Sequence, residues 1–484
     1  MNTKYKVIFR ITGLVLCFQA AILLIPTASA LHWGEALCLK SFLIAAAVSL
    51  LAGLPLWLAF RKEKGSLTTR EALITVLFVW TSITLDSALP YLFSGQHTGF
   101  ASALFESVSA WTTTGATAFT NVAALPQSLS LWRNFSQWLG GAGILVVITL
   151  LLRGMGGSST LMKLETPGIV MSENTGRYAV LAKKLAITYL ALSVLQFVLL
   201  LFGGCGPFDA MIITFSSCAT GGATCYHSSL VSFSPYVQLI SAIFMILSSM
   251  NLVLIGGLFL KEGDKLRSSS EMKIYPMVIF AAGVLVIADL RLTGTYSTLR
   301  EAVSYGGFQT VSFASTCGLY NADFENWPTL CKAILSFLTF SGGCSMSTSG
   351  AVKIFRVIIL VKLLKRSFTT RLHPTAVKTI TINGKALSAQ VTNSVVSFFF
   401  TYMAVFIAGV FIISFEAPDI QSAFTSASSL LNNIGAGFGA MGPNGCYAEY
   451  SAFMKIFMCL LMLAGRLELY PVILPLTSYF HKEQ

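Results

Sequence analysis

The stretch Ser109-Ala-Trp-Thr-Thr-Thr-Gly115-Ala-Thr117 decides the fold. It is small and polar, yet it stands between two long apolar runs. It returns as Ser216-Ser-Cys-Ala-Thr-Gly-Gly222-Ala-Thr224, as Ser312-Phe-Ala-Ser-Thr-Cys-Gly318-Leu319 and as Ser428-Ser-Leu-Leu-Asn-Asn-Ile-Gly435-Ala436. The key glycines stand 107, 96 and 117 residues apart. One such stretch says little, because small residues are common in packed membrane helices. Four at a similar pitch, each in the same place between two apolar runs, read as an internal repeat.

Each stretch closes a segment, at 100–117, 208–224, 302–319 and 420–437, that falls short of the roughly 20 residues a span requires. Such segments enter and leave the membrane on one side. Non-helical backbone at that depth is tolerated only when buried in protein or lining a water-filled cavity. Four copies around one axis meet that condition, and their carbonyls can replace the hydration shell of a cation. Glycine lets the backbone turn at positive φ, and Ala116 and Leu319 brace the loops from behind. The short helices before the glycines present the negative ends of their dipoles to the centre.

The surrounding chain is that of an integral membrane protein. It has 484 residues, 55% hydrophobic and only 11% charged, against about 25% charged in an ordinary soluble domain. Its mean hydropathy is +0.73. Runs at 11–34, 41–60, 134–152, 185–208, 210–260, 333–352, 386–415 and 420–448 carry no Lys, Arg, Asp or Glu. A soluble enzyme and a single-span anchor are excluded. An outer-membrane barrel would need alternating segments of about ten residues, and these runs are too long and unbroken. The expected fold is an all-α polytopic membrane protein. Two leading helices lie at 7–30 and 40–60. First helices of four units lie near 72–94, 181–202, 272–289 and 390–415, and last helices near 129–152, 235–260, 328–360 and 450–480. That makes ten crossings and four re-entrant segments. The divisions are 1–65 for the leading pair and 66–160, 175–262, 270–370 and 386–484 for the repeats. Residues 11–34 lack a clear cleavage site and are read as the first helix, not as a signal peptide.

The net charge is +12. Most Lys and Arg residues, including Lys4, Lys6, Arg10, Arg61, Lys62, Lys64, Arg70, Arg177, Lys183, Lys184, Lys261, Lys265, Arg267 and the 353–385 run, fall on one side. That side is read as cytoplasmic, with both termini there. The basic balance is a topology signal and calls for no nucleic acid. Asp209, Asp323, Glu325, Glu416, Asp419 and Glu449 fall on the outer rim. Ten cysteines, without a CxxC pair, read as small buried hydrophobes. Gly154-Met-Gly-Gly157 lacks the Lys and the strand context of a phosphate-binding loop, so any nucleotide sensitivity belongs to a partner.

The chain resembles the TrkH/KtrB superfamily of bacterial potassium transporters, and the TrkH branch most closely. The residues that carry the resemblance are Phe105-Glu-Ser-Val-Ser-Ala-Trp-Thr-Thr-Thr-Gly-Ala-Thr117, Leu131-Trp-Arg-Asn-Phe-Ser-Gln-Trp-Leu-Gly-Gly141, Leu431-Asn-Asn-Ile-Gly435 and Leu463-Ala-Gly-Arg-Leu-Glu-Leu469. The resemblance implies four membrane–pore–membrane repeats around a single pseudo-fourfold pore. It implies potassium uptake across the bacterial cytoplasmic (inner) membrane, with K+ as the transported ion and no organic cofactor. It implies a homodimer and a TrkA-like cytoplasmic nucleotide-binding regulatory partner. Carried over by position, the selectivity filter comprises Thr112, Thr113, Thr114 and Gly115; Ala219, Thr220, Gly221 and Gly222; Ser315, Thr316, Cys317 and Gly318; and Asn432, Asn433, Ile434 and Gly435. A glycine in all four repeats is the pattern associated with potassium selectivity. The chain departs from the family at Cys317, where Thr is usual, at Ala436, where Pro is usual, and at Tyr320-Asn321.

Residues Ser341-Gly-Gly-Cys-Ser-Met-Ser-Thr-Ser-Gly350 interrupt the last helix of the third repeat. They are too polar to face lipid and are tolerable where they line a pore. The family places an intramembrane gating loop here, so Gly342, Gly343, Ser345, Ser347 and Gly350 are carried over as gating residues. The family's usual Ala-Gly-Gly-Ile-Lys appears as Ser349-Gly-Ala-Val-Lys353, with one glycine fewer. Arg466 is a charge within a span, which is costly and marks function. It is either a positive barrier in the pore, as the family implies, or a structural partner of Glu468 or a loop carbonyl. An i,i+2 pair shares no helix face, so a partner outside the helix is expected. Glu106 is read as a brace for backbone amides, and His227 as a surface histidine. Lys353 and Arg356 are read as snorkelling to the cytoplasmic face. Channel-like flux is favoured over H+ or Na+ symport, because no carboxylate other than Glu468 is evident deep in a span. A broken-helix transporter for another solute would show inverted repeats, and no His/Asp/Glu cluster suggests an enzyme.

Overall fold

The computed structural model describes residues 3–63, 68–96, 99–151, 175–258, 268–375 and 379–476. Gly154-Met-Gly-Gly157 and the basic residues Lys64, Lys261, Lys265 and Arg267 lie outside the described residues. Two leading helices, Thr3–His32 and Ala36–Phe60, form a hairpin and pack most extensively on each other. Gly13 and Gly53 let their backbones touch. A Cβ on Gly13 would lie 2.7 Å from the Gly53 carbonyl, the close approach that small residues allow between membrane helices. The first leading helix also packs on the first and last helices of the first repeat.

Four repeats follow. Their first helices are Thr69–Phe93, Thr175–Phe202, Ser270–Leu292 and Ala389–Ile413. With the leading pair, these account for the six helices long and apolar enough to cross a membrane among the described residues. Each repeat then carries a short helix: Phe100–Trp111, Pro207–Cys218, Leu299–Ala314 and Ile420–Leu431. At 1.5 Å per residue, their 12 to 16 residues reach about 18–24 Å, short of the roughly 30 Å hydrocarbon core. Local chemistry starts these helices. Pro207 opens the second, a Thr298–Glu301 capping box the third, and the Asp419 carboxylate accepts from the Ser422 amide at the fourth.

The last helices differ from expectation. Continuous spans at 129–152, 235–260 and 450–480 are expected, with a break only in the third repeat. All four break. Gln127–Leu151 is kinked at Gly143, which has φ 74°. Pro235–Ser249 and Leu252–Leu258 meet at 105°. Thr329–Ser341 and Ile354–Leu372 are separated by the polar 342–353 segment. Ala452–Arg466 ends before Glu468 and Leu469, both at positive φ. Counted with the six unbroken helices, the bent pair of the second repeat gives up to seven spans by length and apolarity among the described residues.

The apolar core has two parts. One joins the leading helices to the first and fourth repeats, and the other joins the second and third. A two-residue hairpin, Thr381–Ile382 against Lys385–Ala386, turns through Asn383-Gly384 at positive φ and is the one sheet among the described residues. All ten cysteines are free. Six are buried, but Cys17, Cys205, Cys225 and Cys446 are only partly so, which corrects the reading of all ten as buried hydrophobes.

Candidate functional site

Each short helix ends in the same way. The amide one residue before the key glycine reaches back to the carbonyl of a serine five residues earlier. These bonds are Thr114 to Ser109, Gly221 to Ser216, Cys317 to Ser312 and Ile434 to Ser429, at 2.8–2.9 Å. The preceding amides of Thr113, Thr220, Thr316 and Asn433 donate to the carbonyls of Ala110, Ser217, Phe313 and Leu430. This pair of bonds is a Schellman ending, which requires a left-handed residue. That residue is Thr113, Thr220, Thr316 or Asn433, with φ between 52° and 60°. Asparagine tolerates the conformation, whereas β-branched threonine does not. Three strained threonines at equivalent positions mark a functional site.

Two residues on, Gly115, Gly222, Gly318 and Gly435 return to positive φ, between 76° and 82°. The four strands close into a ring. A Cβ on Gly115 would overlap the Gly221 carbonyl; on Gly222, the Cys317 carbonyl; on Gly318, the Ile434 carbonyl; and on Gly435, the Thr114 carbonyl. Every glycine therefore admits a carbonyl of the adjoining repeat, in the order one, two, three, four and back to one. Thr112, Thr113, Thr114, Ala219, Thr220, Ser315, Thr316, Cys317, Asn432, Asn433 and Ile434 are all at most 1% exposed. Side chains tie the strands together. Thr112 and Thr114 hydroxyls bond at 2.8 Å, Asn433 Nδ2 donates to Thr114 Oγ1 at 3.0 Å, and Tyr402 donates to Asn432 Oδ1 at 2.6 Å.

Beyond the glycines opens a cavity of about 80 Å³, lined by all four of them and walled by Arg133, Tyr226, Tyr320 and Tyr447. The Tyr320 hydroxyl spans it, bonding the His227 carbonyl and, at 2.5 Å, the Pro443 carbonyl. Burial first, then Asp209 for Tyr226 and Asp323 for Tyr320, pushes each phenol up to about 12, so both remain neutral donors.

Below the ring, the 342–353 segment packs against the strand bases. The Thr316 hydroxyl accepts from the Gly350 amide at 2.8 Å, and Thr220 and Thr348 hydroxyls meet at 3.2 Å. A Cβ on Gly350 would overlap the Asn432 carbonyl. Gly342 turns at φ 60°. The Gly343 amide donates to Ser349 Oγ at 3.0 Å, and the Ser345 amide to Glu271 Oε2 at 2.7 Å. Ser347 Oγ bonds Ser349 Oγ at 2.8 Å. Arg466 donates to the Thr348 carbonyl at 2.9 Å and to the carbonyls of Gly140 and Gly141. One guanidinium thus bridges the third-repeat loop and the first-repeat kink.

The family model for TrkH, described as a cation transport protein, matches residues 39–481. The chain belongs to the TrkH family. It is 32% identical over 484 residues to the Trk system potassium uptake protein TrkH of Escherichia coli (strain K12), covering 99% of this chain and 100% of that one. It is 31% identical to the protein of that name from Vibrio parahaemolyticus, covering 99% of each. The crystal structure of the potassium transporter TrkH from Vibrio parahaemolyticus superimposes with a TM-score of 0.89 at 30% identity, covering both chains in full. The family is one of transporters, not enzymes.

On this TrkH-family frame, Glu106 does brace backbone. Its Oε1 accepts from the Ala118 amide and the Thr117 hydroxyl, both at 2.6 Å. His227 is exposed. Lys353 and Arg356 do not snorkel. Lys353 Nζ turns back to the Ser347 and Ser349 carbonyls, at 3.3 and 2.5 Å. Arg356, 3% exposed, pairs with Glu468 and stacks 4.0 Å from the Phe398 ring centre. Each has acceptors closer at hand than water. Three buried polar residues in or near the ring are missed by sequence alone. Arg133 is 3% exposed, bonds Glu106 at 3.0 Å and reaches the Thr224 and Gly115 carbonyls behind the ring. Gln137 Nε2 donates to the Gly221 carbonyl at 2.6 Å. Asp86, at 7% exposure within Thr69–Phe93, is a carboxylate deep in a span besides Glu468. The rule that flags Arg466, a charge within a span, also flags Arg133 and Asp86.

Proposed function

We propose that this protein carries potassium ions into the cell across the bacterial cytoplasmic membrane through the four-strand ring. The observation that carries the reading is the closed ring itself. Four helix ends, each with the same left-handed turn and the same glycine, put four carbonyls of adjoining repeats at one level. The ring and the relatives' description as potassium uptake proteins support one another. The ion sites are Thr112–Gly115, Ala219–Gly222, Ser315–Gly318 and Asn432–Gly435. Four helix C-termini favour a cation there, and an inside-negative voltage supplies about 2.3 kcal/mol per charge per 100 mV, enough for accumulation without ATP. The repeats divide at 66–160, 175–262, 270–370 and 386–484. The 341–350 loop, with Gly342, Gly343, Ser345, Ser347, Gly350 and Arg466, is the gate: it narrows the path beneath the ring and holds a positive charge there. Both termini are cytoplasmic, two copies associate, and a TrkA-like nucleotide-binding protein docks on the basic face. Purified protein in liposomes should pass K+ under a K+ gradient; folded protein that passes none would refute the reading.

A further inference from the structure

Asp86 is buried within the Thr69–Phe93 span, with no charged partner among the described residues. Its Oδ2 receives Gln19 Nε2 at 2.8 Å and a bond from the Ser49 hydroxyl. Among the described residues its Oδ1 has no hydrogen-bond partner, and neither does Gln19 Oε1, although Gln19 is only 2% exposed. Two bonds on one oxygen and none on the other leave an ionised carboxylate half-satisfied, and a proton on Oδ1 would remove its charge. In the protonated form Oδ2 is the carbonyl that accepts both bonds and Oδ1 is the hydroxyl. An ionised carboxylate left half-satisfied in an apolar span is costly. The elements packed most closely on this helix are the two leading helices, the Phe100–Trp111 helix and the Tyr470–Ile473 turn, and Gln127–Leu151 reaches it through Trp132 Nε1, which donates to the Ser87 carbonyl at 3.4 Å. Their titratable groups include Arg10 and Cys17, Cys38 and Lys40, Glu106, Arg133 and Tyr470. Among the described residues none of these interacts electrostatically with Asp86, and Glu106 is already paired with Arg133 at 3.0 Å.

The same cluster touches the ring. Gln19 Nε2 also donates to Ser87 Oγ at 2.8 Å, and Ser87 Oγ receives Trp111 Nε1 at 2.7 Å. Trp111 is the last residue of the first short helix, directly before Thr112. Its carbonyl lies where a Cβ on Gly140 would go, and the Gly140 carbonyl accepts from Arg466. Beside Gln19 and Trp111 is a cavity of about 20 Å³, otherwise lined by Val15, Phe18, Ile22, Ile83 and Leu139.

We propose that Asp86 is a proton-binding site within the membrane, and that its protonation, acting through Gln19, Ser87 and Trp111, steadies the first ring strand and keeps flux high. Loss of the proton leaves a charge that draws Gln19 toward Asp86 and away from Ser87, loosening the Trp111 anchor. The link to flux rests on the potassium-pathway reading; the proton site does not.

Two measurements on the full-length protein in liposomes test it. In pH-difference infrared spectra, the wild type shows the carbonyl stretch of a buried protonated carboxyl that titrates with pH. The band is lost in Asp86→Asn and displaced in Asp86→Glu. A band untouched by either substitution overturns the site, and the Glu variant keeps the test alive should the Asn variant fail to fold. K+ flux per folded wild-type molecule falls as pH rises, whereas Asp86→Asn keeps the low-pH flux throughout. Identical pH profiles overturn the link to the ring. Absence of K+ flux in every variant would indict the pathway reading instead, leaving the infrared result intact.

Discussion

Replacing Arg466 with alanine should open the resting pathway. Arg466 Nη1 lies 2.9 Å from the Thr348 carbonyl, and the Thr348 hydroxyl lies 3.2 Å from that of Thr220 at the base of the second strand. One residue therefore separates the guanidinium from the ring, a distance on the order of 7 Å. At that separation and an effective dielectric near 20, repulsion of a monovalent cation is about 2.4 kcal/mol. If the ion crosses its barrier there, the rate is lowered roughly 60-fold. Lys353 adds charge of the same sign nearby, while Glu468 is already paired with Arg356, so the local field is not cancelled. The carbonyls of Thr348, Gly140 and Gly141 offset part of it, which lowers the expectation to about tenfold or more. Arg466→Lys keeps the charge but loses the planar fork that spans three carbonyls; it should leak far less than Arg466→Ala. Shortening 344–348 should also raise flux, and the two changes together should give less than the sum of their separate effects if they act on one constriction. The assay is K+ flux into liposomes normalised to folded protein. Unchanged or reduced flux per folded Arg466→Ala molecule would refute the barrier. A Lys variant as leaky as the Ala variant would show that the fork, not the charge, holds the pathway shut.

Three other outcomes follow from the same contacts. Gly115→Ser places a Cβ against the Gly221 carbonyl at φ +78°; K+ preference over Na+ should weaken, and an unchanged permeability ratio in well-folded protein would remove Gly115 from the filter. Glu106→Gln strands the buried Arg133, and breaking such a pair costs about 3–5 kcal/mol. The thermal midpoint should fall, and adding Arg133→Gln should recover part of it; an unshifted midpoint would show that the pair does not hold the ring. Neutralising the basic residues within 177–184, 261–273 and 362–385 should weaken capture of a TrkA-like partner, and co-purification that survives both neutralisation and high salt would show that these charges do not dominate the contact.

Periodic glycines make the repeat legible, because no other residue fits positive φ beside a neighbouring carbonyl. The threonines at Thr113, Thr220 and Thr316 are not legible as left-handed, since local preference argues the opposite and only closure of the ring imposes it. The bend after Ser249 and the turn at Glu468 and Leu469 lack a glycine at the break, so hydropathy reads through them. Lys353 and Arg356 look like snorkelling bases because their acceptors are invisible locally: Lys353 folds back on its own loop, and Arg356 finds Glu468, 112 residues away. Asp86 is masked in a similar way. Its partners Gln19 and Ser49 come from the leading helices, 67 and 37 residues distant.

The central claim is that the four glycine strands form a potassium-selective path, and the reversal potential of the reconstituted wild-type protein under opposed K+ and Na+ gradients tests it most directly. The account predicts a potential near the K+ equilibrium value, moving toward zero in Gly115→Ser. A wild-type potential near the Na+ value, or one indifferent to which cation carries the gradient, would contradict it.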